Sequence, residues 1–223
     1  MENAKKWGKE HLKGNKWNIW VVILVLGVIT GIVDSICNAI WEPEVVEVLD
    51  DININITSRG AATATSVVNI LLSPLYVGLC FYLVNLVKGK KFQVEQLFSK
   101  FNNYLRTILV SIIMGIIVVI GFCLLIVPGI IAALALSLVM FLLADERFKD
   151  LSAMEIIKKS MELTKGHKME LFLLGLEYFF KFLLSVFTLG IWLIWLIPEY
   201  QLIFTKFATD LIDEAKLLLV LSY

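Results

Sequence analysis

The sequence predicts an all-α fold: a polytopic membrane protein of six transmembrane helices, with tight outer hairpins and short amphipathic helices on the inner side. Three observations predict it. Apolar residues make up 59% of the 223 residues, whereas soluble domains hold about 45–50%. That excess cannot all be hidden inside a soluble domain of this length, so the bilayer must serve as solvent. Six stretches approach the roughly 20 apolar residues that cross a hydrocarbon core as a helix. Basic residues, finally, alternate between the connections in a way that supports an even number of spans.

The spans fall at about 17–39, 61–87, 104–127, 128–144, 169–188 and 191–207, all within one membrane domain, residues 1–223. The fourth is short, which predicts local thinning of the bilayer or the use of flanking residues to reach the interface. The first follows basic residues and could be taken for a signal peptide. Its apolar run is too long for one, and Trp17, Trp20 and Trp41 bracket it like interfacial anchors, so a retained span is expected.

Orientation follows from charge. The N-terminal tail holds Lys5, Lys6, Lys9, Lys13 and Lys16, the second-to-third connection Lys88, Lys90, Lys91 and Lys100, and the fourth-to-fifth Arg147, Lys149, Lys158, Lys159, Lys165 and Lys168. With six spans all of these lie on one side. The other side has Arg59 among Glu42, Glu44, Glu47, Asp50 and Asp51. Both termini are therefore expected in the cytoplasm, with the chain in the cell membrane.

The first outer connection is polar, and its Asn55-Ile56-Thr57 fits a glycosylation sequon. The other two are tight, at Val127-Pro128-Gly129 and Thr188-Leu189-Gly190. Pro128 suits a helix's first turn, and Gly129 and Gly190 permit a sharp reversal.

Two surface helices are expected, at about 93–101 and 152–165. The second has a strong start: Ser152 can cap, Glu155 can complete a capping box and Leu151 can staple onto Ile156. Its apolar face would run through Ile157, Met161 and Leu163, and Gly166 would stop it. Contact with the inner headgroup layer is expected, docking under the bundle being the alternative. Each such helix precedes a hairpin of spans, which suggests a direct duplication and not the inverted repeat of many transporters.

Small residues four apart let helices approach closely. Gly27 and Gly31, Ser111 and Gly115, and Ala133 and Ser137 have that spacing. Packing within one bundle is the plain expectation, and a homodimer through Gly27 and Gly31 the sharper one.

Glu177 and Lys181 lie inside the fifth span, four residues apart on one face. Folding the hairpin at Gly190 brings Lys181 to the depth of Glu199. The three are expected to cluster, two acids flanking a base, because a lone charge at mid-bilayer costs about 2.5–3.5 kcal/mol. Such a cluster can hold the hairpin together, line a solute or proton path, or leave Lys181 snorkelling outward. Asp34, Asn38 and Asn69 are further polar candidates.

The net charge of zero gives no reason to expect nucleic acid. Cys37, Cys80 and Cys123 have no metal-ligand spacing and read as buried small hydrophobes. With His11 and His167 the only histidines, neither a metal site nor a cofactor is expected. No nucleophile elbow, HExxH or phosphate loop is present, so no enzyme is expected.

Ala4-Lys5-Lys6 and Leu12-Lys13-Gly14-Asn15-Lys16-Trp17 resemble the start of the domain-of-unknown-function 975 family of uncharacterised bacterial integral membrane proteins. Ile126-Val127-Pro128-Gly129-Ile130-Ile131, Phe141-Leu142-Leu143-Ala144-Asp145, Ser160-Met161, Lys165-Gly166-His167-Lys168 and Leu171-Phe172 follow that family's order. Leu189-Gly190-Ile191, Leu193, Trp195-Leu196 and Pro198 continue it. The proline-glycine hairpin is also distantly similar to the membrane domain of some glycerophosphodiester phosphodiesterases, whose catalytic domain has no room here. The resemblance implies a bacterial cell membrane and carries no activity. It also implies a mostly neutral fifth span, from which Glu177, Lys181 and Glu199 depart.

Two functions are weighed. A non-catalytic membrane scaffold, regulator or partner subunit follows from the absence of site chemistry. A small-solute or ion transporter follows from the intramembrane charges. Anionic lipid at Lys158, Lys159, Lys165, His167 and Lys168 is compatible with either.

Overall fold

The computed structural model describes residues 1–40, 44–49, 52–56, 67–90, 97–98, 101, 103–188 and 190–221. The chain opens with α1 (Glu2–Ile40), followed by an antiparallel hairpin of β1 (Glu44–Leu49) and β2 (Ile52–Ile56). A helical turn over 67–71 leads into α2 (Ser73–Val87). Then come α3 (Tyr104–Leu124), α4 (Ile126–Ala135), α5 (Val139–Ala144), a 3-10 turn (Glu146–Phe148), α6 (Ala153–Leu163), α7 (Lys168–Ser185), a second 3-10 turn (Val186–Thr188) and α8 (Leu193–Leu221).

Apart from this small hairpin every described element is helical, as expected. Val45 pairs with Asn55 and Val46 with Ile54, with an irregularity between Glu47 and Leu49. Ile52-Asn53-Ile54-Asn55-Ile56 alternates with the period of a strand, which a search for helical spans passes over. Asn55 of the sequon lies on β2, and Thr57 lies outside the described residues.

Among the described residues three helical stretches are long and apolar enough to cross a bilayer: Gly14–Ile36, Tyr104–Leu124 and Ile126–Ala144. The other three expected spans do not qualify. Helix α2 has 15 described residues, and 61–66 lie outside the description. Helix α7 carries Lys168, Glu170, Glu177 and Lys181, and α8 carries Glu199, Lys206 and Asp210. The expected helix at 93–101 lies mostly outside the described residues.

The two reversals use different means. Between α3 and α4 a single extended residue, Leu125 (φ −168°, ψ 159°), makes the turn. Gly129 sits inside α4, not in the turn. A Cβ there would lie 2.5 Å from the Phe122 ring, so this glycine serves close packing of the hairpin. Pro128 lies in the first turn of α4, where its missing N–H costs nothing. Gly190 has φ +80°, the left-handed conformation a sharp reversal needs, and its N–H donates back to Ser185 O (2.9 Å).

The core gathers on α8. Phe207, Ala208 and Ile212 meet Val110 of α3, Leu142 of α5 and Ile156 of α6. Ile156 is fully enclosed and Ile157 nearly so. Helix α6 is therefore docked on protein. The expectation of headgroup contact through its apolar face is corrected, because that face is Ile156, Ile157, Ser160 and Leu163. Met161 and Met154 point outward. The capping box forms as expected, Ser152 N–H donating to Glu155 Oε2 (2.7 Å) and Glu155 N–H to Ser152 Oγ (3.4 Å). Gly166, at φ +93°, follows the helix end.

The glycines of the small-residue pairs make no close approach inside the bundle. A Cβ added at Gly27, Gly31 or Gly115 meets nothing within 4 Å. Ser137 donates back to Leu134 O (2.8 Å) and Ala133 is exposed. The close approaches lie elsewhere: Gly78 against the Leu97 backbone, Gly8 against Ile203 and Gly121 against Gly129. Cys80 packs against the core as expected of a small hydrophobe, Cys123 is exposed and departs from that expectation, and the Cys37 side chain is not among those described.

Candidate functional site

Three helices build the site. Helix α1 lies antiparallel to α8 along its first 20 residues: Gly8 faces Ile203, Lys16 faces Trp195 and Trp20 faces Ile194. The same stretch lies along α7, with the N-terminal amine 4.0 Å from Glu170 and Lys5 on Glu177. Beyond Leu26 the helix overshoots its partners. Along Gly14–Ile36 only Ile19, Val22 and Leu26 are buried, and Leu24, Val28, Ile32 and Ile36 are about half exposed or more.

One contact in this register follows from helix chemistry. Pro198 lies inside α8 and has no N–H to offer Ile194 O, four residues back. The Trp20 indole N–H donates to that carbonyl instead (2.7 Å). A second carbonyl is treated alike. The fourth expected span is interrupted between α4 and α5, and Val139 N–H turns to Leu136 O (3.1 Å). Ala135 O accepts from Ser160 Oγ (2.8 Å) and Thr164 Oγ1 (3.3 Å) of the α6 segment. Both side chains are buried, so the bonds replace water that is absent there.

The structure brings Glu177, Lys181 and Glu199 together as the hairpin geometry predicts. Lys181 Nζ is 2.7 Å from Glu177 Oε1 and 4.0 Å from Glu199 Oε1, the base between two acids. It also lies 4.3 Å from the centre of the Tyr178 ring. Two members were not expected. Tyr178 is buried and its hydroxyl donates to Glu199 Oε1 (2.7 Å). Lys5 pairs with Glu177 Oε2. The hairpin alone carries two carboxylates and one ammonium, and Lys5 brings the group to neutrality. Tyr178 was legible as the residue after Glu177. Lys5 had no sequence signal, since it stands 172 residues away.

The other candidates lie apart. Asp34 is on the exposed half of α1, about 44 Å along the helix from Lys5 at 1.5 Å per residue. Asn69 lies in the turn before α2, whose neighbour Leu72 joins the apolar cluster of Ile19, Val22 and Leu75. The Asn38 side chain lies outside the description. On the α6 segment Lys158 and Lys165 are exposed, Lys159 pairs with Glu162 (3.3 Å) and His167 Nδ1 is 3.4 Å from Glu170. Lys168 borders an apolar groove with Val127, Ile131 and Phe172.

Beside the charge cluster a cleft of about 380 Å³ opens between α1 and α8, lined by Lys9, Leu12, Lys16, Trp17, Trp195 and Glu199. Glu199 belongs to both. At the opposite end of the bundle Arg147 joins Asp145 and Asp213 (2.8 Å to the latter). Burial raises the Asp145 pKa, but the hydrogen bonds and charge of Arg147 outweigh it and hold the group below the usual carboxylate range.

Helices long and apolar enough to cross a bilayer define a membrane-type helical protein. A family model described as "Protein of unknown function (DUF975)" matches residues 116–212, which supports the family resemblance carried by the sequence motifs. The match contains Glu177, Lys181 and Glu199, and Lys5 lies outside it. No curated protein and no solved structure matches the chain.

Proposed function

We propose that this chain is a non-catalytic component of the bacterial cell membrane, a scaffold, regulator or partner subunit. One observation carries the reading: Lys5, Glu177, Lys181 and Glu199 neutralise one another, with Tyr178 on Glu199. A cluster already satisfied by its own chain ties α1 to the last hairpin and offers no unpaired group to a reaction. Gly27 and Gly31, on the unpacked half of α1, are the face through which a second copy would dock. Lys158 and Lys165 remain turned outward for anionic lipid.

The test is a cysteine at position 181 in a background without Cys37, Cys80 and Cys123. A membrane-impermeant thiol reagent is applied to intact cells and to inverted vesicles. Protection from both sides, with the protein still inserted and folded, is the expected result. Labelling would overturn the reading and favour the second one, a small-solute or ion transporter. That alternative has its own observation, namely that Glu199 also forms a wall of the open cleft.

A further inference from the structure

We propose that the cleft between α1 and α8 binds the headgroup of an anionic phospholipid, with phosphate on Lys9 and Lys16 and a polyol hydroxyl on Glu199. The inference rests on the membrane reading above and goes beyond it, since it adds a site outside the basic residues of the α6 segment. Neither Lys9 nor Lys16 is ion-paired among the described residues. Lys16 Nζ is held between two indoles, 4.8 Å from the Trp17 ring and 4.3 Å from the Trp195 ring. The one carboxylate in the wall, Glu199, already accepts from Tyr178 and lies 4.0 Å from Lys181. The cleft therefore presents two cations without an ion pair among the described residues, and its acid is left as a hydrogen-bond acceptor.

A second, independent observation says which source of phosphate fits. The contact between Trp20 and Ile194 places Trp17 and Trp20 of α1 level with Trp192 and Trp195 at the tip of the last hairpin. Trp17, Trp192 and Trp195 are each exposed by more than a third. Indoles gathered at one level mark the headgroup layer of a bilayer. The apolar part of α1 continues beyond that level. The cleft thus opens where a lipid phosphate sits, and its indole walls suit the adjoining glycerol and upper acyl carbons.

The test uses the full chain purified in a neutral detergent. Short-chain phosphatidylglycerol, short-chain phosphatidylcholine and soluble glycerol phosphate are titrated in turn while tryptophan emission is followed. Saturable binding of phosphatidylglycerol, tighter than either of the others, is expected. A juxtamembrane lysine adds about 1 kcal/mol of attraction to anionic lipid. Lys9→Gln with Lys16→Gln should then weaken binding about 30-fold, and Lys149→Gln, on an exposed residue away from the cleft, should leave it unchanged. If the double variant fails to fold, Lys9→Gln alone, on an exposed residue, should weaken binding about fivefold. Equal binding of the choline lipid, equal binding of soluble glycerol phosphate, or binding indifferent to Lys9 would each overturn the proposal. Retention of the protein in membranes after an alkaline wash tests the underlying membrane reading separately.

Discussion

Lys5 decides whether the charges of the last hairpin balance. Reversing it to Glu should cost about 1–3 kcal/mol, since it unpairs Glu177 and adds a like charge beside it. Adding Glu177→Lys should restore more than half of that loss, read by thermal unfolding in detergent as a double-mutant cycle. Full additivity would show that the pair contributes nothing. Trp20 acts through a single hydrogen bond. Trp20→Phe keeps most of the ring and strands Ile194 O, so a loss of about 1–2 kcal/mol is expected. Asp145 supplies a pH dependence. Its pKa is lower in the folded chain than in the unfolded one, so its contribution is complete above the ordinary aspartate value of about 4. That contribution is lost as pH falls through the folded value. Melting temperatures taken below about pH 4 should fall less steeply for Asp145→Asn than for the native chain.

At the scale of elements, α6 shows how an amphipathic helix chooses between lipid and protein. Apolar residues at Ile156, Ile157 and Leu163 suit either. Ser160 suits only protein, because its hydroxyl needs an acceptor and the interrupted fourth span supplies Ala135 O, whereas Thr164 Oγ1 also reaches Ser160 O (2.9 Å) within its own segment. Removing both donors, Ser160→Ala with Thr164→Val, should destabilise by about 2–3 kcal/mol, and Ser160→Ala alone by about 1. A null effect, measured by unfolding, would mean that water replaces them. Helix α2 has a stricter limit. A Cβ at Gly78 would stand 2.0 Å from Leu97 O, a backbone atom that cannot rotate away, so Gly78→Ala should cost about 2 kcal/mol or more and lower folded yield.

For the whole molecule the telling feature is the register of α1. Apolarity places its span at Gly14–Ile36, yet the bundle holds the helix only as far as Leu26 and Ile29 and leaves Gly27, Gly31 and the residues beyond without close packing. Oxidative cross-linking tests this in the cysteine-free background. A cysteine pair at 8 and 203 should cross-link, and a pair at 31 and 195 should not. The opposite outcome would return the basic segment to an unpacked tail.

What the sequence determined by itself is local. Helix period and apolar length gave the helical class and the three qualifying spans, the capping box started α6, Gly190 turned the last hairpin, and spacing of four joined Glu177 to Lys181. Folding about a known turn also brought Glu199 within reach, since hairpin partners are related by counting residues. What only the tertiary structure decided is how helices far apart in the chain slide along and face one another. Hydrophobic periodicity is the same at every axial offset, so it carries no information on that slide. The offset of α1 is set by particular complements, Gly8 on Ile203, Trp20 on the carbonyl that Pro198 leaves free, and Lys5 on the unbalanced Glu177. Each is a contact between residues more than 170 positions apart, and none leaves a local trace.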